Sequence, residues 1–213
     1  MVEKIAYIFP GQGAQYVGMG RDLYEKLPVS REAFDKADKI LGFSVSRLCF
    51  EGPQDKLIQT HYCQLAILTV TVAAWEAFRE AASRTTHAMA WVPRAASYAA
   101  GLSLGEYSAL VAAGAISFEE ALILVRKRSE LMSEASERFP GKMLAVIGLD
   151  LDIVKNLSKQ TDIEIANFNC PGQVVVTGRS QNIDSFSALA KAEGAKRLVE
   201  LGVSGAFHSK LMS

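Results

Sequence analysis

The chain has 213 residues, 49% of them apolar, and its Lys+Arg count of 23 equals its Asp+Glu count of 23. Zero net charge leaves no electrostatic footprint for nucleic acid or an anionic membrane surface, and no apolar run is long enough to span a bilayer. Cys49, Cys63 and Cys170 are far apart and odd in number. They make neither a disulfide framework nor a metal-ligand spacing, and the first residues lack the apolar region of a signal peptide, so the expectation is a cytoplasmic globular protein that binds no metal.

Residues 4–9 (KIAYIF) form a short apolar run that predicts a buried strand. It stops at Pro10-Gly11-Gln12-Gly13, a tight loop at the C-terminal end of a strand, where open α/β sheets place ligands. The Gly-Lys-Ser/Thr ending of a phosphate loop is missing. Gln12, between two glycines, can carry its backbone N–H or its side-chain amide into a site. Residues 21–41 are helical with breaks at Pro28 and Gly42, and Ser30 reads as an N-cap for residues 31–40. After a turn at Gly52-Pro53, residues 65–82 form a helix apolar nearly all round, hence central to a core, with Gln64 a polar group at its start. His61 reads as a surface or cap histidine. Residues 83–93 have no clean period and read as a loop with a partial strand.

At residues 99–110 the sequence reads Ala-Ala-Gly-Leu-Ser-Leu-Gly-Glu-Tyr-Ser-Ala-Leu. Gly101-x-Ser103-x-Gly105 between a small apolar run and a helix former has the pattern of a nucleophile elbow, a strained strand-to-helix turn. The serine hydroxyl is presented beside the first amides of the following helix, which suit a developing oxyanion. That helix, residues 104–113, ends at Gly114. Ser117-Phe118-Glu119-Glu120 then reads as a capping box for a helix over residues 118–136, with Leu122, Val125, Leu131 and Met132 on its apolar side. Arg126, Lys127 and Arg128 are consecutive, so one of them can point inward.

From Gly141 the texture changes. Strands are expected at 143–149, 163–168, 173–178 and 195–201, and helices at 150–159 and 180–193, the second capped by Ser180. Asn169-Cys170-Pro171-Gly172 reads as a hairpin turn. The order β-α-β-β-α-β is the ferredoxin-like motif. A serine at an elbow needs a base, and among the three histidines only His208 sits in a Gly/Ser-rich loop after a strand.

Four stretches occur in one order: residues 9–15 (FPGQGAQ), residues 101–107 (GLSLGEY), Arg128 before Ser129-Glu130-Leu131-Met132, and residues 205–209 (GAFHS). With residues 167–174 (NFNCPGQV) they resemble the malonyl-CoA:acyl carrier protein transacylases and related acyltransferase domains. The resemblance implies an α/β fold, an α/β-hydrolase-like parallel-sheet core over 1–138 and 203–213 with an inserted ferredoxin-like lobe over 139–202. It implies Ser103 as nucleophile, His208 as base, and amides of Gln12 and Leu104 as the oxyanion hole. Arg128 would clamp the malonyl carboxylate, and Gln64, Leu102 and Phe207 would line the substrate. It implies a monomer with no bound cofactor, whose substrates are malonyl-CoA and the phosphopantetheine thiol of an acyl carrier protein.

The chain departs from the family pattern at Leu102 (normally histidine), Leu65 (proline) and Ser129 (glycine), and the family continues beyond position 213. The resemblance therefore implies a C-terminally truncated member. Two further readings stand beside an active transferase: a non-catalytic copy that binds CoA or carrier protein, and a serine esterase. Arg128 and the want of an acidic residue in a triad position weigh against the esterase.

Overall fold

The computed structural model describes residues 4–84, 96–203 and 205–213. The irregular stretch expected at 83–93 falls mostly outside these residues. The chain divides into two compact units, Met1–Ser129 and Glu130–Ser213.

In the first unit, β1 (Ala6–Phe9) pairs in parallel with β2 (Tyr98–Gly101), with Phe9 opposite Gly101. Among the described residues β1 has no other strand partner. The expectation of a buried first strand is corrected: Phe9 is buried, but Ile8 is 81% exposed. An apolar run becomes buried only where another layer covers it.

The helices are α1 (Arg21–Lys26), α2 (Pro28–Leu41), α3 (Val45–Glu51), α4 (Gln54–Leu57), α5 (Thr60–Arg84), α6 (Gly105–Ala112) and α7 (Phe118–Arg138), the last crossing the boundary between the units. Ser30 is not an N-cap. Pro28 opens α2, where its missing N–H costs nothing, and the buried Ser30 hydroxyl donates 2.9 Å to the carbonyl of Ala73 on α5. Helix α5 starts five residues before the apolar run and packs its first half into the core, with Cys63, Leu65, Ala66, Leu68 and Ala73 wholly buried. Each large side chain so buried contributes about 1.5–3 kcal/mol.

The capping box before α7 is formed: the Ser117 amide donates 2.7 Å to Glu120 Oε2, and the Glu120 amide donates 3.1 Å to Ser117 Oγ. Leu122 and Val125 are buried as expected, whereas Leu131 is exposed. A stripe drawn through Val125 and Met132 turns Leu131 about 100° aside on a 3.6-residue helix.

In the second unit the strands are β3 (Gly141–Ile147), β4 (Glu164–Cys170), β5 (Gln173–Arg179) and β6 (Arg197–Glu200), with α8 (Leu151–Gln160) and α9 (Ser180–Ala192) between them. The sheet order is β4-β5-β3-β6 with every pairing antiparallel, the ferredoxin-like topology. Strand alternation sorts the core: Leu144, Val146, Val174 and Val176 pack with Val154, Ile183 and Phe186, while Met143, Ala145 and Val175 pack with Phe207. Pairing of β4 and β5 runs to Cys170–Gln173, so the turn narrows to Pro171-Gly172. Ser180 is the first residue of α9 rather than its cap, which is Arg179 without a side-chain bond.

Candidate active site

The elbow forms as its spacing requires. A Cβ built on Gly101 would lie 1.9 Å from the carbonyl carbon of Gly105, and one on Gly105 would lie 2.3 Å from the Phe9 carbonyl oxygen. Both positions must be glycine because β1, β2 and α6 converge there without room for a side chain. Between them Ser103 adopts φ 52°, a left-handed conformation that non-glycine residues rarely occupy.

Two backbone donors border this turn. Leu104 is the N-cap of α6 and buried, and Gln12 lies in the loop after β1. Among the described residues neither amide N–H donates to a protein acceptor. They are therefore available to an oxyanion, the use to which the amide after an elbow nucleophile is suited. The Gln12 side chain is occupied otherwise, donating 3.4 Å to Thr60 Oγ1 at the start of α5.

Arg128 is the inward member of the basic run on α7. Its Nη2 donates 2.8 Å to Ser103 Oγ, and its Nη1 donates to Gln64 Oε1. The guanidinium carbon stands 5.8 Å from the centre of the Tyr107 ring, within cation–π range. Burial pulls the guanidinium below its usual pKa, opposed by Tyr107 and Glu106, but an arginine stays charged. Among the described residues no carboxylate pairs with it. A half-buried cation held by a neutral amide, a hydroxyl and an aromatic ring is suited to an anionic group brought by a ligand.

Ser103, Arg128 and Gln64 are thus brought together from the elbow, α7 and α5. Leu102, at the same turn, is 55% exposed. Tyr107 was not singled out in the sequence, although it lies in the elbow motif one helical turn after Ser103, and neither was Thr60.

His208 belongs to the second unit. It is exposed, at φ 58°, in the loop after β6. Phe207 before it is buried against Met143, Ala145 and Val175. After it, Ser209 Oγ donates 2.6 Å to the Ala206 carbonyl and accepts 3.2 Å from the Leu211 amide. The Lys210 amide donates 3.0 Å to Glu164 Oε1, and its Nζ donates 2.7 Å to Asp162 Oδ1. This loop is held on both sides of a strained residue, the condition under which such a conformation persists. Among the described residues no group of three or more His, Cys, Asp or Glu side chains could hold a metal, and no helix is long and apolar enough to cross a membrane.

Residues 6–213 match the acyl transferase domain family. The chain belongs to that family. It is 44% identical over 216 residues to the malonyl CoA-acyl carrier protein transacylase of Bacillus subtilis (strain 168), an alignment covering 99% of this chain and 65% of the relative. The corresponding Staphylococcus aureus (strain MSSA476) protein is 42% identical, with 66% of its length covered. Among solved structures, a malonyl-transacylase in complex with its type II PKS acyl-carrier protein superposes with TM-score 0.89 at 38% identity, over 99% of this chain and 66% of that one. MCAT from Streptococcus pneumoniae gives TM-score 0.85 at 41% identity, over 98% and 66%. This acyl transferase domain therefore spans about two thirds of the length of the curated relatives it matches. The structural matches agree with an α/β-hydrolase-like acyltransferase fold carrying a ferredoxin-like lobe.

Proposed function

We propose that this acyl transferase domain moves a malonyl group from CoA to the phosphopantetheine thiol of an acyl carrier protein, through a malonyl-serine ester, in fatty acid biosynthesis. The observation that carries the reading is the 2.8 Å contact between the elbow hydroxyl of Ser103 and Arg128, a cation that meets no carboxylate among the described residues. A neutral ester would have no use for that cation. A diacid thioester places its reacting carbonyl at the hydroxyl and its free carboxylate at the guanidinium.

Ser103 Oγ attacks the thioester carbonyl while His208 takes its proton. The oxyanion is received by the amides of Leu104 and Gln12, each such donor being worth roughly 3–4 kcal/mol. The C–S bond breaks and CoA leaves as a thiol with the proton from His208. The carrier thiol, deprotonated in turn by His208, attacks the ester, and Ser103 regains its proton. Leu102 forms an apolar wall beside the acyl group, and Phe207 sets the shape that favours malonyl over branched diacids. Both thiols are substrates, and side chains supply the remaining chemistry, so the reading asks for no cofactor. The working division is a core of residues 1–138 and 203–213 with a lobe of 139–202, active as a cytoplasmic monomer.

Incubation with malonyl-CoA followed by peptide mass spectrometry tests this. The expected result is a malonyl ester on Ser103 that is absent from Ser103→Ala. A folded protein with no adduct would overturn transfer and leave a copy that only binds CoA or carrier protein.

A further inference from the structure

The oxyanion donor at Gln12 is carried by a backbone that is intrinsically loose. Both of its neighbours are glycine, the residue with the widest conformational range. Each glycine is placed by what surrounds it. A Cβ on Gly11 would lie 2.6 Å from the Leu102 carbonyl oxygen at the elbow, and Gly13 takes φ 110° with its amide donating 2.8 Å to Gln15 Oε1. Gln12 alone of the three has a side chain, and that side chain reaches out of the loop to α5. Its Nε2 donates 3.4 Å to the hydroxyl of Thr60, 48 residues on. Thr60 is buried and opens α5, in a turn where Cys63 is buried as well. It has a further interaction besides this one.

Resting on the malonyl-transfer reading, we infer that Thr60 is a positioning residue of the oxyanion hole: it anchors the Gln12 side chain to α5 and so aims the Gln12 amide N–H. The amide and the side chain leave the same Cα, so holding the far end of the side chain limits how the N–H can turn. A residue buried on a helix is a fixed point for such a tether, whereas a Gly-Gln-Gly loop without it is free to swing. Negative charge on the carbonyl oxygen develops only in the transition state. Loss of aim therefore falls on the maximal rate of acylation and leaves substrate binding alone. It falls equally on malonyl and acetyl thioesters, whose reacting carbonyls are the same. That sets Thr60 apart from Arg128, whose charge sorts the two thioesters.

Single-turnover acylation of Ser103 by malonyl-CoA and by acetyl-CoA tests this in Thr60→Val, Thr60→Ser, Gln12→Met and the double variant of Thr60→Val with Gln12→Met. Thr60→Val keeps the shape and removes the hydroxyl. It is expected to lower the maximal rate about tenfold with both thioesters, a fraction of the cost of removing an oxyanion donor outright, and to leave the half-saturating concentration within about twofold. Thr60→Ser keeps the hydroxyl and is expected to stay within about twofold of the wild-type rate. Gln12→Met cuts the tether at its other end, so the double variant is expected to lose no more than either single one. Additive losses would assign the effect of Thr60 to its further interaction. A serine variant as slow as the valine one, or a loss confined to half-saturation, would assign it to packing or binding. Each of these overturns the inference while leaving malonyl transfer standing. If Thr60→Val does not fold, Gln12→Met decides: an unchanged rate with both thioesters overturns the tether, and an equal loss with both supports it. A wild-type chain acylated by neither thioester would remove the transfer reading itself, and the inference with it.

Discussion

Arg128 donates to the nucleophile and to Gln64 without meeting a carboxylate among the described residues, so its charge is available in the free protein. Replacing it tests what that charge selects. Arg128→Ala is expected to lower malonyl-CoA acylation about tenfold to a hundredfold, the loss of a charge-assisted bond of about 1.5–3 kcal/mol, and to leave acetyl-CoA little changed. Competition between the two thioesters for Ser103 measures the shift directly, and an unchanged ratio would dismiss the clamp. Ser103 and Arg128 were both legible in the sequence, one from the glycine spacing of the elbow and the other from a basic run too crowded to face solvent throughout. The contact of Arg128 with Gln64 was not. It joins two helices far apart in the chain, and nothing local to residue 64 distinguishes a partner of arginine from a polar helix start. The strain at Ser103 was implied by the elbow pattern, whereas that at His208 was hidden, since its backbone angles are imposed by the packing around its turn.

Among the elements, α7 shows how a short motif becomes a stability term. Ser117 and Glu120 exchange bonds before the first turn, and those bonds hold the Glu120 carboxyl below the usual carboxylate range. Ser117→Ala is expected to cost about 1 kcal/mol at neutral pH, read as a lower urea midpoint with an unchanged slope. Because the folded-state pKa of Glu120 is depressed, its contribution is complete above the unfolded-state value and is lost as pH falls through the folded one. The gap between wild type and variant should therefore narrow in acid, and a gap that is constant with pH would show that Glu120 takes no part.

This box was legible because both partners lie within four residues. So was the ferredoxin-like lobe, whose strands alternate and whose turn is marked by Pro171-Gly172. Two serines expected as caps are not caps, Ser30 because its hydroxyl is used elsewhere and Ser180 because it is already the first residue of its helix. Ser30 bonds across to α5, and the position before α9 falls to Arg179. Helix preference at Pro28 decided the start of α2, a local rule that outweighed the capping rule two residues later.

For the molecule as a whole, the least expected feature is the open surface of the first unit. Parallel sheets are ordinarily covered on both faces. Here Ile8 and Tyr98, on β1 and β2, are 81% and 59% exposed. Beside them Tyr7, Trp75, Phe78, Tyr98 and Ala99 line a cavity of about 570 Å³. Tyr7 and Phe78 stand 4.8 Å and 5.7 Å from the Trp75 ring, so the wall is preformed by aromatic contacts rather than collapsed.

A concave aromatic wall of this size takes an apolar molecule of modest bulk without rearrangement. The folded chain is therefore expected to bind anilinonaphthalene sulfonate in the absence of denaturant, with energy transfer from Trp75 to the dye. Arg79 also lines the cavity and suits the dye's sulfonate, so placing a negative charge in the wall, as in Ala99→Asp, should weaken dye binding about tenfold by repelling that sulfonate. The distinction from a loosely packed state lies in the near-ultraviolet circular dichroism, which stays native in a folded chain binding dye at a fixed site and disappears in a molten one. Dye binding that survives Trp75→Phe and Ala99→Asp unchanged would place the apolar surface elsewhere.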